Sequence, residues 1–300
     1  MKSTLKWLSK QTAYLEAPVN TGILMMGKEA VIVDTGLDRD HAGKILRGLE
    51  EENLMPVAVI NTHSHADHCG GNAQLQKRLG LPVIAPRLEK PFIEDPYLES
   101  FGLYGGANPP AALQNKFLKA KPSVVHQSFE PEEKEIHFRS FSIELIPLPG
   151  HSPQQTGVLY DGILFSADVL LGKGYLDKHL IPFNSDVRLH RKSLFHLREI
   201  EVDCCVPSHG RPMSDMTELI NCNEEALHLI DSWLLSHMAE PATLDELLSF
   251  FCREHQMDLE TISQYHLYRT AFAAHLTALT ESGRIRHAVS GSLLRWQAVL

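Results

Sequence analysis

Between residues 63 and 68 the chain reads His63-Ser64-His65-Ala66-Asp67-His68, three imidazoles and one carboxylate within six residues. Neither solvated surface nor ordinary core requires such a density of metal-binding side chains. Imidazole nitrogens with a few carboxylate oxygens suit borderline divalent ions, zinc first among them. Just before the cluster, Val57-Ala58-Val59-Ile60 reads as a short apolar strand. The histidines are therefore expected on a loop leaving a strand end, where α/β folds place their chemistry.

Around that loop, residues 12–168 alternate β-rich runs with helical ones. Strands are expected over 13–16, 22–26 and 30–34, the last two joined across Gly27-Lys28, and a helix over 40–49. Gly70-Gly71 opens a helix that runs to Leu79, and 82–85 is another buried strand. Residues 86–121 read as a long irregular insertion, and a segment of that length without periodicity is often a lid. Strand patterning returns over 143–148 and 157–166, with turns at Pro149-Gly150 and Asp161-Gly162. A helix over 186–199, a strand over 203–207 and a long helix over 215–237 complete this part, the last with Met216, Ile220, Leu227, Ile230 and Leu234 on one face.

After Glu240-Pro241 the pattern becomes mostly helical, which places a boundary between residues 1–238 and 239–300. Thr243 and Glu246 form a capping-box pattern ahead of Leu244, Leu247, Leu248 and Phe251. A later helix carrying Phe272, Leu276 and Leu279 stops at Gly283, and two short strands flank Ser290-Gly291-Ser292. Helices followed by a terminal hairpin suggest a small winged-helix-like domain.

Three further positions repeat the theme of a ligand just after a strand. They are His151 in Pro149-Gly150-His151-Ser152, Asp168 in Ser166-Ala167-Asp168 and His209 in Pro207-Ser208-His209-Gly210. With Val33-Asp34-Thr35-Gly36 ahead of them, these motifs stand in an order that resembles the metallo-β-lactamase superfamily over about residues 12–237. The resemblance implies an α/β fold, an αββα sandwich of two mixed sheets flanked by helices. It also implies His63, His65 and His151 on a first metal, Asp67, His68 and His209 on a second, and Asp168 bridging them. Asp34 would orient the metal loop from behind the ligands without being one. The expected cofactors are two divalent ions, Zn2+ first, with Fe or Mn as alternatives. Such a pair, about 3.5–4 Å apart, acidifies a shared water and stabilises charge on the substrate. Asp67, beside that water, is the expected proton acceptor.

Other residues carry weaker signals. Lys116 lies in a basic run that ends at Lys121, and with Tyr97, Phe101 and Tyr104 it could meet an anionic substrate group or simply form a solvated helix end. Tyr175 and Asn184 lie between Asp168 and His209, where related proteins contact substrate. Cys69 and the other four cysteines lack C-x-x-C spacing and read as small buried residues in a reducing compartment. No apolar run of membrane-spanning or signal-peptide character opens the chain, so a cytoplasmic protein is expected.

A net charge of -9 disfavours a nucleic-acid-holding protein, although Arg269, Arg284, Arg286 and Arg295 make the C-terminal end locally positive. The expected partner is a small-molecule substrate, with a homodimer kept open. The leading function is hydrolysis of an ester, thioester or lactone in the manner of hydroxyacylglutathione hydrolases. RNA or phosphodiester cleavage is the second reading. An iron-dependent sulfur dioxygenase and a DNA-binding sensor are further ones.

Overall fold

The computed structural model describes residues 4–299. The first half builds β1 (Lys6–Trp7), β2 (Thr12–Leu15), β3 (Thr21–Met26), β4 (Glu29–Val33), α1 (Arg39–Glu51), β5 (Met55–Ile60), α2 (Ala66–Cys69), α3 (Asn72–Leu79), β6 (Val83–Pro86), α4 (Lys90–Glu94), α5 (Tyr97–Leu103), a 3-10 turn at Ala111–Leu113 and β7 (Gln127–Phe129). The second half adds β8 (Glu135–Phe138), β9 (Phe141–Pro147), β10 (Thr156–Tyr160), β11 (Ile163–Leu171), α6 (Lys173–Lys178), α7 (Val187–Leu197), β12 (Cys204–His209) and α8 (Thr217–His237). The C-terminal region consists of α9 (Leu244–Glu254), α10 (Ile262–Glu281), β13 (Ile285–Ser290) and β14 (Leu293–Ala298).

Strands β1 to β7 form one mixed sheet in chain order, and a second mixed sheet runs β12-β11-β10-β9-β8. Strand alternation explains why they stack. Leu24, Val31, Val33 and Ile60 of the first sheet point at Ile143, Val158, Phe165 and Val206 of the second, giving a buried layer between them. Their neighbours Ile23, Met25, Ile32 and Val59 point the other way, onto Ala42, Ile45 and Leu49 of α1 and Leu75 of α3. The outer face of the second sheet packs Ile146, Leu164 and Cys205 against Leu194 and Leu197 of α7 and Leu219, Ile220 and Leu227 of α8. The result is the expected αββα sandwich.

Helix caps agree with the sequence. Asp38 accepts from the amides of Asp40 and His41 at the start of α1, and Thr243 with Glu246 forms the anticipated capping box on α9. Residues 86–121 depart from expectation. They hold α4, α5 and the 3-10 turn, elements too short to show a period; Pro91 lies in the first turn of α4 and Pro96 caps α5. Strands β7 and β8 were also absent from the sequence reading. Each has at most four residues, and only Phe129 and Ile136 are buried in them.

Helix α8 ends at the expected boundary but belongs to both sides of it. Its Leu219, Ile220 and Leu227 pack with the second sheet, while Ile230, Trp233 and Leu234 join Leu247, Phe251, Phe272 and Leu276 of the C-terminal helices. A bridge between Ala242 and Trp296 ties the terminal hairpin back to the segment after α8. Among the described residues no helix is long and apolar enough to cross a membrane.

Candidate metal centre

The sandwich brings together the ends of β5, β11 and β12 and the loop between β9 and β10. After Ile60 the chain turns through Asn61 and Thr62 into the cluster, and His65 caps the one-turn helix α2, which carries Asp67 and His68. His151 arrives from the loop before β10. Asp168 lies inside β11 where its pairing with β12 shifts register around Ala167, whose φ of 54 marks the irregularity. His209 is the last residue of β12.

All seven side chains expected to bind metal converge. His63, His65 and His151 form one group of mutually close ligand atoms, Asp67, His68 and His209 a second, and His63, His68 and Asp168 a third linking them. His65 Nδ1 is 3.1 Å from His63 Nε2 and 2.9 Å from His151 Nε2. Nitrogens on one tetrahedral ion at the usual bond length lie about 3.3 Å apart, so these contacts match a shared metal. Asp168 stands between the groups, with Oδ1 3.3 Å from His68 Nε2 and Oδ2 3.5 Å from His151 Nε2 and 3.4 Å from His209 Nε2. His209 Nε2 is also 3.4 Å from Asp67 Oδ2.

Two observations show that this donor set fits divalent cations. His68 Nε2 and Asp168 Oδ1 are fully buried, yet neither makes a hydrogen bond. Buried polar atoms left this way are costly unless something else satisfies them. The electrostatics agree. Burial opposes a charge on His209, but Asp168 and Asp67 outweigh it and push its pKa up to about 10. His68 is likewise raised against burial, by Asp168, Asp34 and Asp67. Asp67, despite burial, is held near 2 by His68 and His209. The carboxylates thus demand positive charge in their midst. By contrast, burial drives His63 and His151 to their neutral, ligating forms, His151 to a pKa of about 3.

The backs of the ligands are fixed by the surrounding fold. Asp34, at φ 63 just beyond β4, receives His68 Nδ1 at 2.8 Å, the Thr62 amide at 2.9 Å and the Thr62 hydroxyl at 2.8 Å. Thr62, its proton given to Asp34, accepts in turn from His63 Nδ1 at 3.0 Å. His151 Nδ1 donates to the Phe183 carbonyl and His209 Nδ1 to that of Pro18. Asp34 therefore holds the position expected of it, and such outer contacts fix tautomer and ring direction. Gly150, at φ +133, lets the His151 loop lie against α7, since a Cβ there would sit 2.2 Å from the His190 amide nitrogen.

Sequence reading missed Glu89. Fully buried, it accepts from the Ser64 amide at 3.2 Å, the Ser64 hydroxyl at 2.6 Å, the Ser152 hydroxyl at 2.8 Å and the Gln154 amide at 2.8 Å. One carboxylate thereby ties the His63–His68 loop to the His151 loop. In Arg87-Leu88-Glu89-Lys90 it looks like a surface charge, and nothing local signals otherwise.

The weaker assignments divide. Tyr175 lines the cavity at the metals, its ring 5.0 Å from that of His209. Lys116 does not line it. It pairs with Asp38 at 3.4 Å and faces a neighbouring groove with Lys77, Lys119 and Lys121, while the next residue, Phe117, faces the metals. Asn184 is buried, its amide unpartnered, and is absent from the cavity lining, which Phe183 and Ser185 supply instead. Tyr97, Phe101 and Tyr104 stay outside the cavity too; Tyr97 lies under Lys119 and Tyr104 packs on His266. Cys69 donates to the Ser64 carbonyl and belongs to none of the ligand groups.

From the ligand cluster a wider cavity of about 630 Å³ opens past Asp67, Tyr175 and His209 towards Lys44 and Lys178. Two smaller ones, of about 180 and 150 Å³, lie beside His65 and His151. Leu267 and Thr270 of α10 help to line these, so the C-terminal region shapes the mouth of the site.

Two sheets packed face to face between helices, with histidines and aspartates gathered at one edge, define a metal-binding αββα protein. The sequence profile of the metallo-beta-lactamase superfamily matches residues 16–209, and the chain belongs to that family. It is 27% identical over 195 residues to "Probable metallo-hydrolase YqgX" of Bacillus subtilis, a match covering 63% of this chain and 84% of that one. It is 26% identical over 149 residues to "Hydroxyacylglutathione hydrolase GloC" of Haemophilus influenzae, covering 49% of this chain and 64% of that one. Among solved structures, a metallo-beta-lactamase family protein of Thermus thermophilus superposes with a TM-score of 0.76 at 19% identity, covering 98% of this chain and all of the other. A beta-lactamase domain protein of Burkholderia ambifaria gives 0.73 at 18% identity, covering 98% and 93%. These two likenesses concern the fold.

Proposed function

We propose that the chain is a two-metal hydrolase acting on a small-molecule ester, thioester or lactone. The observation that carries the reading is the convergence of all seven ligands into two groups linked by a third, His63, His68 and Asp168, beside open cavities. His63, His65 and His151 would hold one ion, Asp67, His68 and His209 the other, and Asp168 both; zinc suits this mixture of imidazole and carboxylate. When bound, such ions supply an acidified water and a Lewis acid for the carbonyl. Asp67, reached from both the wide and the narrow cavity, is the carboxylate placed to accept a proton at the reacting centre. Phe117, Leu118, Phe183 and Leu267 form apolar walls that keep water from the substrate's flanks. The relatives named as hydroxyacylglutathione hydrolases favour a thioester within this class.

One observation favours phosphodiester or RNA cleavage as a second reading. The groove lined by Arg39, Lys77, Lys116, Lys119 and Lys121 shares Asp38 and Asp40 with the wide cavity, a basic track leading to the metals. For residues 239–300 the order of a bridge at Ala242, two helices and a hairpin supports a winged-helix-like domain that walls the site. A hydrolysis screen of thioesters, lactones, phosphodiesters and single-stranded RNA on the zinc-loaded protein separates the readings. Thioester, ester or lactone turnover that Asp67→Ala abolishes supports the first. RNA cleavage alone would replace it with the second.

A further inference from the structure

Glu99, on the first turn of α5, lines both small cavities, in each of which it is accompanied by His65, His151 and Phe183. It therefore sits where the two meet, beside the first ligand group. Glu89, which faces it, is occupied by Ser64, Ser152 and Gln154, and Asp67 and Asp168, which share one of its cavities, lie against His68 and His209 within the ligand groups. Glu99 is half-buried and, among the described residues, makes no hydrogen bond or ion pair. The titratable groups that face it are His65 and Glu89, and burial pushes its carboxyl above the usual range. Among the described residues neither small cavity has a lysine or arginine in its lining, and Phe92, Leu98 and Leu103 make much of one wall apolar. An acceptor without a protein partner on the wall of these cavities is open to water or to a donor on a ligand.

We propose that Glu99 is a specificity-determining residue that reads the portion of the substrate lying beside His65 and His151. It accepts a hydrogen bond from a hydroxyl or ammonium there, and it turns away a carboxylate or phosphate. Glu99 stands beside His65 and His151, so the class is an acyl group bearing a donor near the scissile carbonyl. A site built around a buried polar partner discriminates strongly against analogues that lack the matching group. An anionic tail would meet the Glu99 carboxylate with no lysine or arginine among the described lining residues to pair with, a repulsion that a neutral tail gripped by the same ions does not meet. The inference rests on the hydrolase reading for the word acyl, but not for the contact itself.

The test uses hydroxamates of propanoic, 2-hydroxypropanoic and succinic acid, in which a common metal-gripping group carries three different tails. Isothermal titration calorimetry on the zinc-loaded full chain compares wild type, Glu99→Gln and Glu99→Leu. Wild type is expected to bind the 2-hydroxy compound about tenfold more tightly than the plain one, the worth of one charge-assisted hydrogen bond. The succinyl compound is expected to bind at least about tenfold more weakly. Glu99→Leu brings both ratios close to one. Glu99→Gln, close in shape, removes the penalty on the anion while keeping part of the hydroxyl preference. Equal ratios in wild type and Glu99→Leu overturn the proposal, as does a wild type that binds no hydroxamate or prefers the succinyl tail. Zinc content and urea midpoint, measured on each variant, exclude a folding effect. The matching esters are assayed in parallel: ratios that follow Glu99 without any hydrolysis refute the hydrolase reading alone, and hydrolysis with unmoved ratios refutes the role of Glu99 alone.

Discussion

Replacing Glu89 by alanine should damage both stability and metal binding, although Glu89 touches no metal. Its carboxylate accepts two hydroxyl and two amide hydrogens, from Ser64, Ser152 and Gln154, at a fully buried position. Alanine leaves those donors facing a small cavity. The hydroxyls can turn to other partners or a water; the Ser64 and Gln154 amides cannot. Two amides left without acceptors cost about 1–3 kcal/mol each, so a total of about 2–6 kcal/mol is expected. Glu89→Gln keeps the shape and the oxygen that receives Ser152 and Gln154, but sets an amide NH2 against the Ser64 amide; about 1–3 kcal/mol is expected there. The two loops carry His63, His65 and His151, so their loosening should weaken zinc about 10–100-fold, as for other residues behind metal ligands. Urea unfolding of the metal-free chain measures the first effect and competition with a chelator the second. A Glu89→Ala variant that unfolds within about 0.5 kcal/mol of wild type, the ordinary range for a surface change, would refute the reasoning.

Further outcomes follow from the same geometry. Asp34→Asn should leave the fold intact but lower zinc affinity about 10–100-fold, since His68 Nδ1 loses its charged acceptor; unchanged occupancy by mass spectrometry of metals would contradict it. His41, His151 and His190 are driven by burial to pKa values of about 4, 3 and 3. Lowered this way, they stay neutral in the folded chain while the unfolded chain takes up protons, so metal-free stability should fall as pH drops from about 6.5 towards 4. His41→Asn should flatten that slope in urea midpoints measured across the range, and an unchanged slope would remove His41 from the account. A chain ending after Met238 uncovers Ile230, Trp233 and Leu234 and loses the Leu267 wall. It should be recovered aggregated or with no cooperative unfolding, whereas a soluble, active fragment would show that the sandwich stands alone.

The site was more legible than its surroundings. Six close-set residues rich in ligand types after an apolar strand announce a metal loop, and His151 and His209 sit at or just beyond strand ends, so chemistry and topology signal together. Asp34 was readable for the same reason, through its motif. Glu89 and Glu99 were not, because a lone glutamate among polar neighbours has no pattern; only the folding of residues 86–121 over the metal loops turns one inward to Ser64 and the other to the cavity. The helices of that segment escaped notice because elements of five and seven residues complete too little of a period to register. For Lys116 the sequence left a substrate contact and a solvated helix end both open, because the basic run shows charge but not direction, and its partner Asp38 lies 78 residues away. Strand β11 was foreseen to Ser166 but continues to Leu171, carrying Asp168 inside a strand whose irregular pairing the sequence does not display.

The central claim is a site for two ions bridged by Asp168, and metal stoichiometry tests it most directly. Chain dialysed against excess free zinc and then desalted should retain two ions per chain in wild type. Asp168→Ala, which removes the carboxylate within 3.5 Å of His68, His151 and His209, should retain one or fewer. A wild type that holds a single ion, or a variant that still holds two with unchanged affinity, would contradict the account.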